Sequence, residues 1–356
     1  MAVAPTAIPR RKDVRPAEDY GFFGPDSVTW RVWSYPTSLT VGFQRAVVVE
    51  ELDPALVASV DATHAIWDRP RTRYDRTLRY FAMVAFGDSR STSQAADVLV
   101  KVHSKGVGIE PLSGNTYDAN DPQSQLWIHL TAWHSILYAY ERYGPGRLSA
   151  EDEARYWQEC AVAAELQTCD PAGVPRTRDG VRAYFESMRP QLVGSPVARA
   201  TMHHLLQADV MLPPLPPVLG PLAKLIAFAL RKATIGTMPQ WMRELGGLKQ
   251  SRAMDAAVRP AARGVFAAVQ LSRRAELLAL GFLSPSTVPV VAPVLLRVPP
   301  LRTEVLSPAE ARQRYGYARP SEAHLELRAK QAARALAGSR PSDVGVRESE
   351  PILGAV

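Results

Sequence analysis

The sequence predicts an all-α protein, built as one large multi-helix domain, and three observations carry that reading. Apolar residues recur at helical spacing over most of the 356 residues. Side chains that cap helices stand in front of these runs, as Asp53 does before Pro54 and Asp121 before Pro122. No stretch supports a sheet by alternating apolar and polar residues, and nothing resembles strand–helix–strand alternation.

Residues 1–18 are rich in Pro and Arg, lack periodic apolar positions and read as a disordered leader. They also lack the apolar core of a secretory signal. A turn at Gly24-Pro25-Asp26-Ser27 offers Asp26 or Ser27 as cap to a helix carrying Trp30, Val32 and Trp33, which Pro36 ends. Residues 37–60 are strongly apolar and break at Asp53-Pro54, where Asp53 caps a second helix. Tyr74 to Ala85 follows as a helix that packs through Leu78, Phe81, Met83 and Val84, with Gly87 as its stop. Ser91 or Ser93 caps the next, in which Ala95, Leu99 and Val102 recur before Lys105-Gly106. A loop rich in Gly, Pro, Asn and Asp leads to a long helix from Pro122, closed by Gly144-Pro145-Gly146. Ser149 and Asp152 form a near capping box for a helix reaching Gln167. Helices over 177–188, 197–206, 239–246 and 254–271 come next, then a Pro-rich stretch after Leu283 and a charged helix over 321–336. The organisation is a leader (1–18), a helical domain (19–300), a C-terminal extension with the charged helix (301–338) and a disordered tail (339–356).

Composition is that of a globular protein, 46% hydrophobic and 22% charged. A net charge of +7 favours anionic partners: nucleic acid, phospholipid headgroups or the propionates of a cofactor. The arginines are scattered, and no RNP, helix-turn-helix or zinc-finger pattern accompanies them, so nucleic acid is excluded as the partner. Cys160 and Cys169 lack zinc spacing and read as buried thiols of a protein in the reducing cytoplasm. Residues 218–230 are apolar but too short to span a bilayer, which needs about twenty such residues. They read as a buried core helix, or alternatively as a peripheral membrane contact edged by Arg231 and Lys232.

Chemistry concentrates where polar residues interrupt apolar helices. Arg73, Arg76, Thr77 and Tyr80 stand at i, i+3, i+4 and i+7, which puts two guanidinium groups, a hydroxyl and a phenol on one face. That face can grip carboxylates or polarise a bound oxygen species; it is equally the pattern of a solvated basic face. His103 sits on the apolar stripe with Leu99, where a neutral imidazole can coordinate iron or simply serve the core. On the long helix His129 and Trp133 share a face near Leu126, Leu130 and Leu137, as the wall of a pocket or the seam of a bundle. Tyr117 lies in a loop of turn residues and can reach such a pocket. No Gly-x-Ser-x-Gly elbow, Walker loop or Gly-x-Gly-x-x-Gly is present.

Together, residues 22–32 (FFGPDSVTWRV), the Arg-x-x-Arg-Thr segment at 73–77, Phe86-Gly87, the segment from Val102-His103 to Gly108, Tyr117 to Pro122 and Trp127-Ile128-His129 resemble the MpaB and rubber oxygenase (latex clearing protein) family. Order and spacing agree over residues 20–300. The resemblance implies an all-helical domain holding haem b between helices. His103 is then the proximal iron ligand, with His129 as second choice, and Arg73, Arg76 and Thr77 form the distal set. Tyr80, Tyr117 and Trp133 join the haem-binding walls. The family's rubber-cleaving members cleave polyisoprene with dioxygen and carry Arg-x-x-Lys-Thr and a catalytic glutamate. Here Arg76 replaces that lysine, and a guanidinium is a very poor iron ligand because it stays protonated. Asp53-Pro54 stands where many relatives have His-Pro, and Glu50 or Glu51 is the nearest carboxylate.

The resemblance therefore implies a haem-dependent oxygenase using dioxygen or peroxide on an apolar or aromatic small molecule rather than rubber. Two other readings stay open: a haem binder without catalysis, and a helical scaffold without cofactor.

Overall fold

The computed structural model describes residues 9–207 and 217–336. Helices α1 (Val28–Trp33), α2 (Phe43–Val49), α3 (Pro54–Ala62), α4 (Ala65–Asp68), α5 (Pro70–Phe86) and α6 (Ser89–His103) lead into a two-stranded hairpin. Beyond the hairpin run α7 (Pro122–Tyr143), α8 (Ala150–Ala164), α9 (Arg178–Met188) and α10 (Pro196–Leu205). The second half adds α11 (Gly220–Thr237), α12 (Gln240–Leu245), α13 (Arg252–Gln270), α14 (Arg273–Leu283), α15 (Val288–Leu295), α16 (Pro308–Tyr315) and α17 (Pro320–Leu336). The fold is all-α, and its sheet among the described residues is the hairpin of β1 (Val107–Ile109) and β2 (Thr116–Asp118), with Gly108 opposite Tyr117.

The capping side chains act largely as the sequence predicts. Ser27 accepts from Trp30 N, Asp53 from Leu56 N, Asp121 from Gln123 N and Ser124 N, and Ser149 from Asp152 N. Helix α6 begins earlier than expected because Asp88, not Ser91 or Ser93, accepts from Ser91 N. Those two serines therefore lie inside the helix.

Helix α7 is the axis of the domain. It packs against α2, the segment Ser38–Gly42, α13, α1 and α8. Trp127, Trp133 and Tyr143 of α7, Trp33 of α1, and Tyr156 and Trp157 of α8 are fully buried around it. Segment Ser38–Gly42 is a π turn, with Gly42 N donating to Thr37 O at 2.8 Å. Its close approach to α7 depends on glycine, since a Cβ at Gly42 would stand 2.9 Å from the Ile136 Cα. Two polar side chains of α2 then fix the neighbouring helices. Gln44 donates to Leu205 O and accepts from the Thr234 hydroxyl, while Arg45 donates to Ser135 Oγ and Thr237 O.

Four expectations need correction. The hairpin replaces part of the loop expected before α7, because Val107 to Ile109 and Thr116 to Asp118 satisfy each other's backbone. Helices α15 and α16 occupy the stretch after Leu283 that reads as merely Pro-rich; several of its prolines stand at helix starts, where a missing N–H costs nothing. The end of the expected leader is paired, with Leu301 N and Arg302 N donating to Ala17 O and Glu18 O. Finally, the apolar stretch at 218–230 is not a buried core helix: Leu222, Leu225, Ile226 and Phe228 face solvent, because only the C-terminal half of α11 reaches Gln44 and Arg45. Residues 1–8 and the expected tail over 339–356 lie outside the described residues. Cys160 and Cys169 are free, buried thiols, as read from the sequence.

Replacing Gly42 by Ala forces α2 away from α7 where two backbones meet. Unfolding by urea should show a loss of about 1–3 kcal/mol, the range for overpacking a tight core. An unchanged midpoint would show that the crossing has slack.

Candidate active site

Helices α3, α5, α6 and α7, with the end of β2, enclose a cavity of about 510 Å³. That volume is within the range of pockets that bury drug- or cofactor-sized ligands. Arg73, Arg76, Thr77 and Tyr80 of α5 line it, as does His103 at the end of α6. The helical spacing of the α5 residues thus produces a shared wall rather than a solvated face. Leu56, Val60, Phe81, Leu99, Val102 and Ile128 give that cavity its apolar surface. A second, polar cleft of about 640 Å³ between α11, α12 and the start of α13 contains none of the predicted residues.

Tyr117, His129 and Trp133 lie elsewhere. The Tyr117 ring covers Gly108 across the hairpin, leaving its neighbours Asp118 and Ala119 to reach the cavity. His129 turns toward α8, with Nε2 2.7 Å from Cys160 O and Nδ1 3.4 Å from Gln167 Nε2. Trp133 packs between Trp33, Phe23 and Tyr156. The reason is helical geometry: α7 presents Ser124, Gln125 and Ile128 to the cavity, and the next residue points about 100° away.

Burial sets the charge state of the wall. It pushes the His103 imidazole down to about 4, and the Arg73 guanidinium pushes in the same direction, so the ring is neutral at pH 7. Gln125 Nε2 lies 3.4 Å from His103 Nδ1 and donates to Ala119 O at 2.7 Å. Nε2 is the ring nitrogen left for the cavity. Burial raises the Glu50 carboxyl to about 8, against the pull of Arg73, so that carboxyl is largely protonated at pH 7. Glu51 behind it is raised further by burial and by Glu50. Glu50 Oε2 and Gln167 Oε1, both on residues of the wall, are buried without a hydrogen-bond partner among the described residues. Buried polar atoms without a partner are few in folded proteins, and each calls for one.

Thr77 donates to Arg73 O at 2.9 Å, and Tyr80 donates to Leu166 O at 3.3 Å. Burial holds the Tyr80 phenol in its neutral form. Sequence reasoning named Glu50 only as a carboxylate near the distal set; its signal was two adjacent acids inside an apolar run. Arg69, Gln125 and Gln167 carried no signal, since their approach to the cavity depends on how three helices cross.

The turn after His103 is held from a distance. Asn120 Nδ2 donates at 2.8 Å to Val100 O, which also accepts from Ser104 N, and Arg328 Nη1 donates at 2.7 Å to Ser104 O, a carbonyl that the helix end leaves open. Arg328 also grips the wall residue Asp118 with Nε at 2.8 Å from Oδ2 and Nη2 at 2.5 Å from Oδ1. Gln331 adds a bond to Ser104 O. Helix α17 is thus a brace behind the histidine.

A lowered histidine and a raised carboxyl beside arginines in one cavity form the pattern of perturbed groups that marks a candidate functional site. Residues 30–274, well over half of the chain, match the catalytic domain described as ER-bound oxygenase mpaB/B′/rubber oxygenase. The protein belongs to this oxygenase family. No curated protein and no solved structure matches it. Both Arg328 and the α17 brace lie beyond the matched span.

Two outcomes follow from this geometry. The unfolded chain takes up protons near pH 6.5 that folded His103 refuses until about 4, so stability is lost as pH falls through that window. In His103→Gln the fall in thermal midpoint over the same window should shrink, and a slope equal to the parent's would show that His103 is not buried in its neutral form. Replacing Arg328 by Ala leaves Ser104 O with Gln331 alone and removes the cation from Asp118; hydrogen exchange of the Ser104 and Gly106 amides should then speed up about tenfold or more, as loss of charged hydrogen bonds worth ~1.5–3 kcal/mol requires. Unchanged exchange there would remove the brace.

Proposed function

We propose that this protein is a haem b-dependent oxygenase that uses dioxygen or peroxide on an apolar small molecule. The observation that carries the reading is His103: a half-buried imidazole, neutral at pH 7, on the wall of a cavity lined by cations and apolar side chains. The fit is chemical. A neutral imidazole is an iron ligand, Arg69, Arg73 and Arg76 can meet two propionates, and Leu56, Val60, Phe81 and Ile128 suit a flat apolar disc. Among the described residues no cluster of three or more His, Cys, Asp or Glu could hold a metal ion, which suits a single protein ligand to a porphyrin iron.

When bound, haem supplies the iron centre that reacts with dioxygen. The chain's own residues supply the rest. His103 would ligate through Nε2, the ring nitrogen left for the cavity, and the Gln125 amide beside Nδ1 fixes the orientation of the ring. The guanidinium groups of Arg73 and Arg76 would meet propionates or donate hydrogen bonds to an oxygen atom of a bound molecule in the cavity. Glu50, protonated at neutral pH with Oε2 unpartnered, holds a proton that it can deliver into the cavity and take back. Apolar walls exclude water and select a substrate without charge. With Arg76 in place of lysine, this position offers no amine that could lose its proton and bind a metal.

Expression with a haem precursor should give a Soret band that His103→Ala loses, whereas Glu50→Gln should keep the band and lower oxygen consumption by about 10²–10⁴-fold. A parent protein without the band sinks the haem assignment. A Glu50→Gln protein of full activity removes Glu50 from the chemistry. Haem content without oxygen consumption on any apolar alkene or aromatic would mark a haem binder instead.

A further inference from the structure

Helices α11 and α13 carry an apolar surface that the packing does not explain. Leu222, Leu225, Ile226 and Phe228 of α11 are 55%, 63%, 46% and 50% exposed, and Val265 of α13 is 59% exposed. A single exposed leucine needs no cause, but a cluster of this kind marks an interaction site. The helices form an antiparallel hairpin. Gln250, just before α13, donates to Lys232 O near the end of α11, and Gly236 faces Asp255 in the first turn of α13. Counting roughly 15 Å back along each helix brings the Leu225 turn and Val265 to the same free tip. Arg45 and Gln44 anchor the other end of α11 through Thr237 O and Thr234.

Charge decides what covers this tip. The chain contains no acidic residue between Asp209 and Glu244, where Lys224, Arg231, Lys232 and Arg243 stand, and none between Asp255 and Glu276, where Arg259, Arg263, Arg273 and Arg274 stand. Asp255 is itself paired with Arg243 at 2.8 Å. Lys224, Arg259, Arg263 and Arg274 are exposed, and Lys232 lies 5.4 Å over the Phe228 ring. A two-fold contact between copies would set this cationic surface against itself. An acidic, apolar-cored surface suits it, and the bilayer interface of anionic phospholipids is such a surface: acyl chains for the leucines, headgroup charge for the lysine and arginines. Among the described residues no helix is long and apolar enough to cross a membrane. We infer that the α11–α13 tip docks the protein onto the face of an anionic bilayer without spanning it.

The test needs neither haem nor substrate, so its outcome stands apart from that of the oxygenase assignment. Full-length protein is sedimented with phosphatidylcholine vesicles that contain or lack phosphatidylserine. Binding is expected only with phosphatidylserine and should weaken as salt is raised. The double substitution Leu225→Asp with Phe228→Asp should weaken it by tenfold or more, and Lys224→Glu by about fivefold or more. Both variants should keep the parent's circular dichroism and thermal midpoint, because the side chains are exposed. Absence of binding by the parent, or equal binding by the double variant, overturns the inference. So does a parent dimer in solution that Leu225→Asp with Phe228→Asp dissociates, since the tip is then covered by a second copy.

Discussion

The contact between Gly42 and Ile136 is where two helical backbones meet without side chains between them, and the rest of the molecule is arranged around it. That contact fixes how α7 is rotated. Because successive residues of a helix point about 100° apart, the same rotation sends Gln125 and Ile128 into the cavity and His129 toward Cys160. It also stacks Trp133 on Trp33 and Tyr156, a layer of rings that stiffens the axis. A polar pair, Gln44 and Arg45, then extends this order to α10 and α11 from inside the core. Burial lowers the Arg45 guanidinium to about 10, which shows how dry that interior is.

The same dryness organises the site. Desolvation penalises whichever form is charged, so it lowers a histidine and raises a carboxyl at once. Arg73 acts on both, strengthening the shift of His103 and weakening that of Glu50. The result at neutral pH is a neutral imidazole and a protonated carboxyl on the wall of one cavity. No single residue sets this state; it comes from enclosing the groups together. Helix α17 contributes from outside by closing the carbonyl end of α6 with Arg328, which keeps the histidine's turn from fraying.

Much of the cavity wall was legible because it is local. Arg73, Arg76, Thr77 and Tyr80 belong to one helix, and their spacing alone puts them on one face. His103 was legible from its place on an apolar stripe at a helix end. Glu50 was half legible, as a carboxylate whose burial nothing in the spacing foretold. His129 and Trp133 misled, since an aromatic face on a central helix looks the same from the sequence whether it lines a pocket or a core. The Val218–Leu230 stretch misled in the opposite way: its residues are core-like, but only part of the helix lies on the core.

What the sequence determined by itself was therefore the set of helices, most of their caps and the composition of each face. These depend on dihedral preferences and on hydrogen bonds between residues three or four apart. Which faces meet, which polar groups lose their water, and which apolar face is left over were decided by tertiary structure alone. Those properties depend on helix crossings between residues dozens of positions apart, as between Gly42 and Ile136 or Ser104 and Arg328. No local pattern encodes such a crossing, because the same stripe can bury itself against any complementary partner.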